Sequence, residues 1–401
     1  MAGPMKGVKV VEMSAWVVGP AVGGILADWG ADVLKIEAPG GGDAYRAFYS
    51  AAAGIPLPIN PMFELDNRGK RSLVADVTTP EGRDIVLRAT AGADVFVTNV
   101  RPGALERAGL DPATLLARFP RLIYALGTGY GTSGAERDRA AFDAGAFWAR
   151  AGIGQTLAPP GGEPPFPRTA FGDHATALAL VGGVSAALFA RERDDRGRLV
   201  TTSLLRTGLY IVGADANQML RLGIPPIPLS RTDMPNPLCT FYRTKDDRWI
   251  FLLGLQSDRH WPDLLRAIDR PELRDDARFA NIRARKEHFT ELIAELDRVF
   301  GAREFGDWAA RLDDAGMWWA PLQTVEQALA DPQTQASGAF MDVPLAEGSA
   351  RMLATPVDFG DHRPTAERET PEAGQHTEEV LLELGYDWDA IAGLKAVGVI
   401  P

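Results

Sequence analysis

The chain reads as an α/β protein. A large domain is built on a parallel sheet, a smaller α+β domain follows, and the C-terminal segment returns to the large domain. Three observations carry this. Residues 7–37 hold a strand-like run, a helical run and a second strand-like run, the βαβ unit that fits in about thirty residues. The same alternation continues to residue 126. After the stretch 223–237, which holds Pro225, Pro226, Pro228, Pro235 and Pro237, the pattern changes to a hairpin followed by helices. The expected segments are 1–224, 225–322 and 323–401.

In order, Gly7-Val-Lys-Val-Val-Glu-Met13 is a β-branched strand and residues 14–19 a loop. Pro20 fits the first position of a helix, where its missing N–H leaves nothing unpaired. That helix stops at Gly30, and Ala31–Glu37 is the second strand. Gly40-Gly-Gly-Asp43 is a flexible turn rather than a GxGxxG fingerprint, because it opens no obvious helix. Residues 44–66 look irregular, a segment suited to cover a site. Ser72–Val77 is a strand, and Thr79 caps a helix that begins at Pro80. Strands at 94–100 and 122–126 follow, with short helices between them. Residues 143–152 read as helical and 155–169 as a loop that delivers the chain to Asp173, after which a long helix runs to about Arg193. A strand at 199–202 leads to one helix over 203–222. Beyond the proline stretch, 238–244 and 249–253 form the hairpin, and 354–360 reads as extended.

In open parallel sheets, ligands sit beyond the carboxyl ends of the strands. Residues 76–78, 99–101 and 127–131 fall there. Arg101 and Arg107 follow the fourth strand and suit an anionic ligand; the alternative is that they are solvated surface arginines. Asp173 opens the long helix in Phe171-Gly172-Asp173-His174. Aspartate there is an ordinary helix cap, or a nucleophile that takes an acyl group, with Gly172 letting a substrate approach the backbone.

The 401 residues are 46% hydrophobic and 24% charged, with a net charge of −11. That balance argues against nucleic acid, which wants a basic face. No apolar run of membrane-spanning length and no secretory segment is evident, so a cytoplasmic protein without a membrane partner is expected. The single cysteine, Cys239, excludes an intrachain disulfide, and the five histidines show no zinc spacing, so no metal is expected.

Several stretches together resemble the class III CoA-transferases, the CaiB/BaiF family. These are 7–37, Asn67-Arg-Gly-Lys-Arg-Ser72, Thr79-Pro-Glu-Gly82, Asn99–Arg107, Gly129-Tyr-Gly131, Gly172-Asp173, Gly197–Leu204, Ala354-Thr-Pro-Val and Gly374–Glu378. The resemblance covers almost the whole chain and implies a Rossmann-like large domain and an interlocked homodimer. It implies CoA and acyl-CoA as substrates beside carboxylic acids, with no tightly bound cofactor. Asp173 matches the residue that takes the acyl group and then CoA. Asp143 falls where formyl-CoA transferases carry a glutamate. Ala75, Asp76, Val77, Thr78, Asn99, Val100, Arg101 and Arg107 match the segments that bind the CoA nucleotide.

The departures bear on substrate. Val17 replaces a glutamine of the formyl-CoA transferases, Ala38 an arginine, Ala140 a lysine and Phe142 a tyrosine. The family's glycine-rich loop is not evident around 235–238. Oxalate and formyl-CoA are therefore not expected. Trp16, Val17, Phe142 and Trp148 suggest an apolar acyl pocket, with core packing the alternative for each. The related α-methylacyl-CoA racemases carry histidine where Phe142 stands, and phenylalanine cannot move a proton. A CoA-binding protein without catalysis is the third reading. The missing GxGxxG disfavours a nicotinamide dehydrogenase.

Overall fold

A computed structural model describes residues 3–54, 56, 59–227, 230–360 and 362–401. Pro228 of the proline stretch, and residues 55, 57 and 58 of the segment read as irregular, lie outside the described residues. The chain divides into two compact units. The first comprises Met1–Thr156, Pro165–Pro226 and Ala336–Pro401, and the second Leu157–Pro164 and Ile227–Gln335.

In the first unit, six strands form one sheet: β1 (Lys9–Met13), β2 (Asp32–Glu37), β3 (Arg71–Val74), β4 (Val95–Thr98), β5 (Ile123–Thr128) and β6 (Arg198–Ser203). Their order is β3-β2-β1-β4-β5-β6 and every pairing is parallel, the doubly wound arrangement. Strand side chains alternate between two faces, and both faces are dry. Val10, Val33, Val95, Val97, Ile123 and Ala125 pack into one core. Their neighbours Val11, Leu34, Phe96, Tyr124 and Leu126 pack into the other. A parallel sheet needs this double cover, because its crossover helices lie on both faces.

The covering helices are α1 (Val18–Asp28), α2 (Tyr45–Ala53), α3 (Pro61–Asn67), α4 (Pro80–Ala91), α5 (Pro102–Ala108), α6 (Pro112–Arg118), α7 (Ile153–Thr156) and α8 (Phe171–Asp194). The helices α2 and α3 correct the expectation of irregular chain over 44–66. Asn60 caps α3 through Phe63 N at 3.1 Å, and Pro61 opens it, a signal legible at that spacing. Residues 144–149 form a π-helical turn rather than an α-helix. The single helix expected over 203–222 is two, Leu204–Ile211 and Gly213–Leu222, broken where Val212 leaves helical geometry. Residues 354–360 form no strand; an isolated bridge joins Phe359 to His362. The strands there lie earlier, in an antiparallel hairpin of β10 (Phe340–Pro344) and β11 (Ser349–Leu353).

The helix α8 also revises the membrane expectation. Its 24 residues hold an 18-residue window of mean hydropathy 1.4, long and apolar enough to cross a bilayer. In this fold one stripe of α8, including Ala177, Leu180, Val181 and Val184, is buried in the sheet's core.

The second unit has a three-stranded antiparallel sheet, β7 (Phe241–Arg243), β8 (Trp249–Leu252) and β9 (Trp319–Leu322), in the order β7-β8-β9. The hairpin was legible and the third strand was not. Pro321 lies inside β9, tolerated because that strand is an edge. Helices including Ser257–Ile268 and Phe289–Phe300 close a core around Tyr242, Phe300, Trp308 and Leu312.

Candidate active site

A cavity of about 500 Å³ lies at the carboxyl ends of β1 to β4, where β1 and β4 part in opposite directions along the sheet. Ala75, Val77, Thr78, Val100 and Arg107 line it. Of the nucleotide segments named from sequence, Asp76, Asn99 and Arg101 do not. The Asp76 carboxylate instead accepts from Thr78 N at 2.9 Å and Thr78 Oγ1 at 2.6 Å. Arg101 is exposed and donates to Asp138 O at 3.3 Å. Arg83 also lines the cavity and was missed. It lies four residues after the cap Thr79, so the first turn of α4 brings it back to the strand end, where it donates to Thr78 O at 2.8 Å. Arg83 and Arg107 supply positive charge. The cavity's two carboxylates, Glu37 and Asp43, are each paired with a cation, Arg46 at 2.7 Å and Lys35 at 3.0 Å. An anionic ligand therefore meets local positive charge despite the acidic whole.

Asp173 sits in the first turn of α8, not at its cap. The cap position is Ala170, held at φ 63°, and Asp173 makes no capping bond. Its carboxyl is pushed up to about 7, first by burial and then by the charge of Asp143. An adjacent cation counters this. Burial opposes charge on the His174 ring, but its Nε2 lies 3.1 Å from Asp66 Oδ1, and the carboxylates around it hold its pKa above the usual value. The Tyr45 hydroxyl is pushed up by burial and then by Asp66, Asp173 and Asp143. A carboxyl raised by burial and by a neighbouring charge marks a candidate functional site.

Asp143 is buried, and its two oxygens accept from Ala144 N at 2.6 Å and Gly172 N at 3.3 Å. It thus ties the π-helical turn to the start of α8; such turns recur at functional sites. Gly172 has a different reason from the one its sequence suggested. A Cβ there would meet the Phe147 ring at 2.3 Å, so side-chain packing takes the space that a substrate was expected to use.

The aromatic residues separate. Val17 is core, 4% exposed. Trp148 packs beside the Phe147 cluster, with its Nε1 against Gly154. Phe142 is 57% exposed and stands edge-on to Trp16, ring centroids 5.2 Å apart. Tyr45 and Phe48 complete the group at 6.0 and 5.6 Å from Trp16. Trp16 has φ 67°, left-handed backbone that costs a non-glycine residue about 1–3 kcal/mol. Asn99 holds the loop beside it, with Ala15 N to Oδ1 at 3.1 Å and Nδ2 to Ala15 O at 2.6 Å.

Comparison with known proteins agrees with this geometry. The chain matches the family model for CoA-transferase family III over residues 5–377. It is 34% identical over 407 residues to an (R)-2-hydroxy-4-methylpentanoate CoA-transferase of Clostridioides difficile, covering 99% of each chain. It is 32% identical over 395 residues to a cinnamoyl-CoA:phenyllactate CoA-transferase of Clostridium sporogenes, covering 97% of this chain and 95% of that one. A crystal structure of a CaiB/BaiF family protein from Brucella suis superposes with a TM-score of 0.84 at 32% identity, over 96% of this chain and 100% of that one. The doubly wound sheet with a cavity at its strand ends is the architecture of an α/β ligand-binding enzyme. The chain belongs to CoA-transferase family III and is a CoA-transferase.

Proposed function

We propose that the protein moves CoA between apolar carboxylic acids by ping-pong chemistry on Asp173. The observation that carries this is the position of Asp173: the first turn of α8, half-buried, with Asp143 raising its pKa and the His174–Asp66 pair beside it. An ionised Asp173 oxygen attacks the donor thioester carbonyl. The C–S bond breaks, CoA leaves as thiolate, and a mixed anhydride remains. The thiolate attacks Cγ of Asp173, the donor acid departs as carboxylate, and an aspartyl-CoA thioester forms. The acceptor carboxylate attacks the same carbon and releases the thiolate. The thiolate opens the second anhydride at the acceptor's carbonyl, giving the new acyl-CoA and free Asp173. The reaction sequence requires that bound substrate keep water from Asp173, since water would hydrolyse either anhydride.

In this reading the CoA nucleotide occupies the 500 Å³ cavity, with Arg83 and Arg107 facing its phosphates. Trp16, Phe48 and Phe142 border the acyl group, which favours branched or aryl chains over formate or oxalate. The relatives named for (R)-2-hydroxy-4-methylpentanoate and for cinnamoyl-CoA and phenyllactate support the same size class. A racemase is not favoured, because Phe142 offers no proton-transferring group.

The working form is proposed to be a homodimer. Phe171 and Phe189 on α8, and Tyr210, Ile211, Leu220 and Leu222 on the two helices after β6, are 57–84% exposed in the single chain. Exposed apolar side chains in that number mark a surface that is covered in use.

Incubation with a panel of acyl-CoAs, followed by hydroxylamine and peptide mass spectrometry, tests the covalent step. A hydroxamate on Asp173 is expected, lost in Asp173→Ala. Turnover without any adduct on that residue would overturn it.

A further inference from the structure

The Gly40-Gly-Gly-Asp43 turn reads as a flexible connector, yet it ends in one of the most constrained side chains of the first unit. Gly40, Gly41 and Gly42 have φ of 84°, 118° and 74°, backbone that side-chain-bearing residues rarely adopt. A Cβ at Gly42 would meet Glu37 Oε2 at 2.4 Å. The turn therefore folds back on β2 and delivers Asp43 beneath the loop between β1 and α1. There Asp43 Oδ1 accepts from Trp16 N and Tyr45 N, both at 3.0 Å. Its own N donates to Glu37 Oε2 at 2.8 Å.

Behind Asp43 runs a row of buried charges. Lys35 Nζ lies 3.0 Å from Asp43 Oδ2 and 2.9 Å from Glu12 Oε1, and it donates to Ser14 O at 3.2 Å. Lys70 Nζ lies 2.6 Å from Glu12 Oε2 and donates to Pro20 O at 2.8 Å and Asn67 Oδ1 at 2.9 Å. The side chains of Glu12, Lys35, Asp43 and Lys70 are all 0% exposed. Two of the groups they hold, Ser14 O and Pro20 O, flank the Trp16 loop on both sides. Buried ion pairs are weak sources of stability, and fixing one arrangement among alternatives is their better attested use. Here the arrangement fixed is the left-handed backbone of Trp16. That loop joins both halves of the site: Ser14, Ala15 and Asp43 line the nucleotide cavity, and the Trp16 ring meets Phe142, next to Asp143.

We propose that Asp43 is a positioning residue for acyl selection, locking Trp16 in its left-handed conformation so that its ring forms the wall of the acyl site. The proposal rests on the reading of Trp16 and Phe142 as that wall. Asp43 touches neither acyl group nor reacting atoms; it acts through the Trp16 amide.

The test compares kcat/KM for the apolar acyl-CoA that the wild-type enzyme uses best with kcat/KM for acetyl-CoA, and follows amide hydrogen exchange in the peptide spanning residues 14–17. Asp43→Ala is expected to lower the ratio of the two constants by about tenfold or more, the scale of a displaced binding group, and to speed exchange at the Trp16 amide. Asp43→Asn keeps an acceptor for that amide and is expected to restore both. If Asp43→Ala does not fold, the pair Lys35→Met with Asp43→Leu removes a cation and an anion together, leaves Glu12 paired with Lys70, and still deprives Trp16 N of its acceptor. It is expected to behave as Asp43→Ala. Equal loss in Asn and Ala variants, or an equal fall for both donors, would overturn the proposal. Trp16→Ala separates the two layers. If it alters the ratio and the Asp43 variants do not, the positioning role fails and the wall stands. If Trp16→Ala leaves the ratio unchanged, the wall fails and the positioning role with it.

Discussion

In the proposed mechanism Asp173 attacks as the carboxylate, and its surroundings push its carboxyl up to about 7. The kcat/KM for the donor half-reaction should therefore rise with pH through that region. Its neighbours make the sign testable. Asp143 raises Asp173 and His174 lowers it, so Asp143→Asn should move the midpoint to lower pH and His174→Gln to higher pH. Initial rates from pH 5 to 9 check this; unchanged midpoints in both variants would remove electrostatics from the account. Stability carries the opposite sign. A carboxyl raised from 3.8 to about 7 in the folded state contributes fully below the lower value and loses that contribution as pH rises through the upper one. Asp173→Asn should match the wild type below pH about 4 and exceed it above about 8, by roughly 1 kcal/mol once solvent screening is allowed for. Chemical denaturation at both pH values measures it. The sequence made Asp173 and Asp143 legible through resemblance and Arg107 through its place after a strand. Arg83, Asp66 and Asp43 were not legible, because each owes its place to a turn or helix that brings it back from elsewhere in the chain.

At the scale of elements, the start of α8 shows how a motif can mark a helix while its residues take other places than expected. The Gly-Asp pair marked the helix from sequence, with aspartate as cap or nucleophile and, in the second reading, glycine as an open approach. In the fold, Ala170 takes the cap position with φ 63°, and Gly172 is filled by Phe147. Gly172→Ala should therefore lower stability by about 2 kcal/mol through overpacking and shift Asp143, whose carboxylate holds the Gly172 amide. Urea titration and donor kinetics on the same variant check both. Helix ends elsewhere offer a gain. Asp269 closes the helix Ser257–Ile268 at φ 55°, and Asp269→Gly should stabilise the second unit by up to about 1 kcal/mol, read from its thermal transition. The βα alternation of the first unit was legible because strands such as β4 and β5 are apolar on both faces and helices such as α4 and α6 open on a capping residue and a proline. The strand β9 and the hairpin β10–β11 were not. Pro321 hides an edge strand, and the hairpin's turn residues Leu345-Ala-Glu-Gly348 resemble an ordinary loop.

For the whole molecule, the parallel sheet and the family were within reach of sequence; the homodimer was implied by the resemblance alone, and the fold adds the exposed surfaces that bear on it. The apolar face left by α8 and the helices after β6 leads to the expectation of a dimer. Light scattering should give twice the chain mass at micromolar concentration, and Leu220→Glu with Tyr210→Glu should shift it toward the single chain. A single-chain mass for the unaltered protein would remove the dimer from the account.

The central claim is that carboxyl oxygen passes through Asp173, and heavy-oxygen labelling reads that directly. The enzyme is turned over with acyl-CoA and an acceptor acid carrying heavy oxygen in both carboxyl positions, then digested, and the peptide holding Asp173 is weighed. Attack by the labelled acceptor on the aspartyl thioester leaves one of its oxygens on Asp173 when CoA opens the anhydride. A gain of heavy oxygen on Asp173, and on no other carboxylate, is the expected result. Full turnover with Asp173 unlabelled would contradict the account, since CoA would then have passed between acids without touching it.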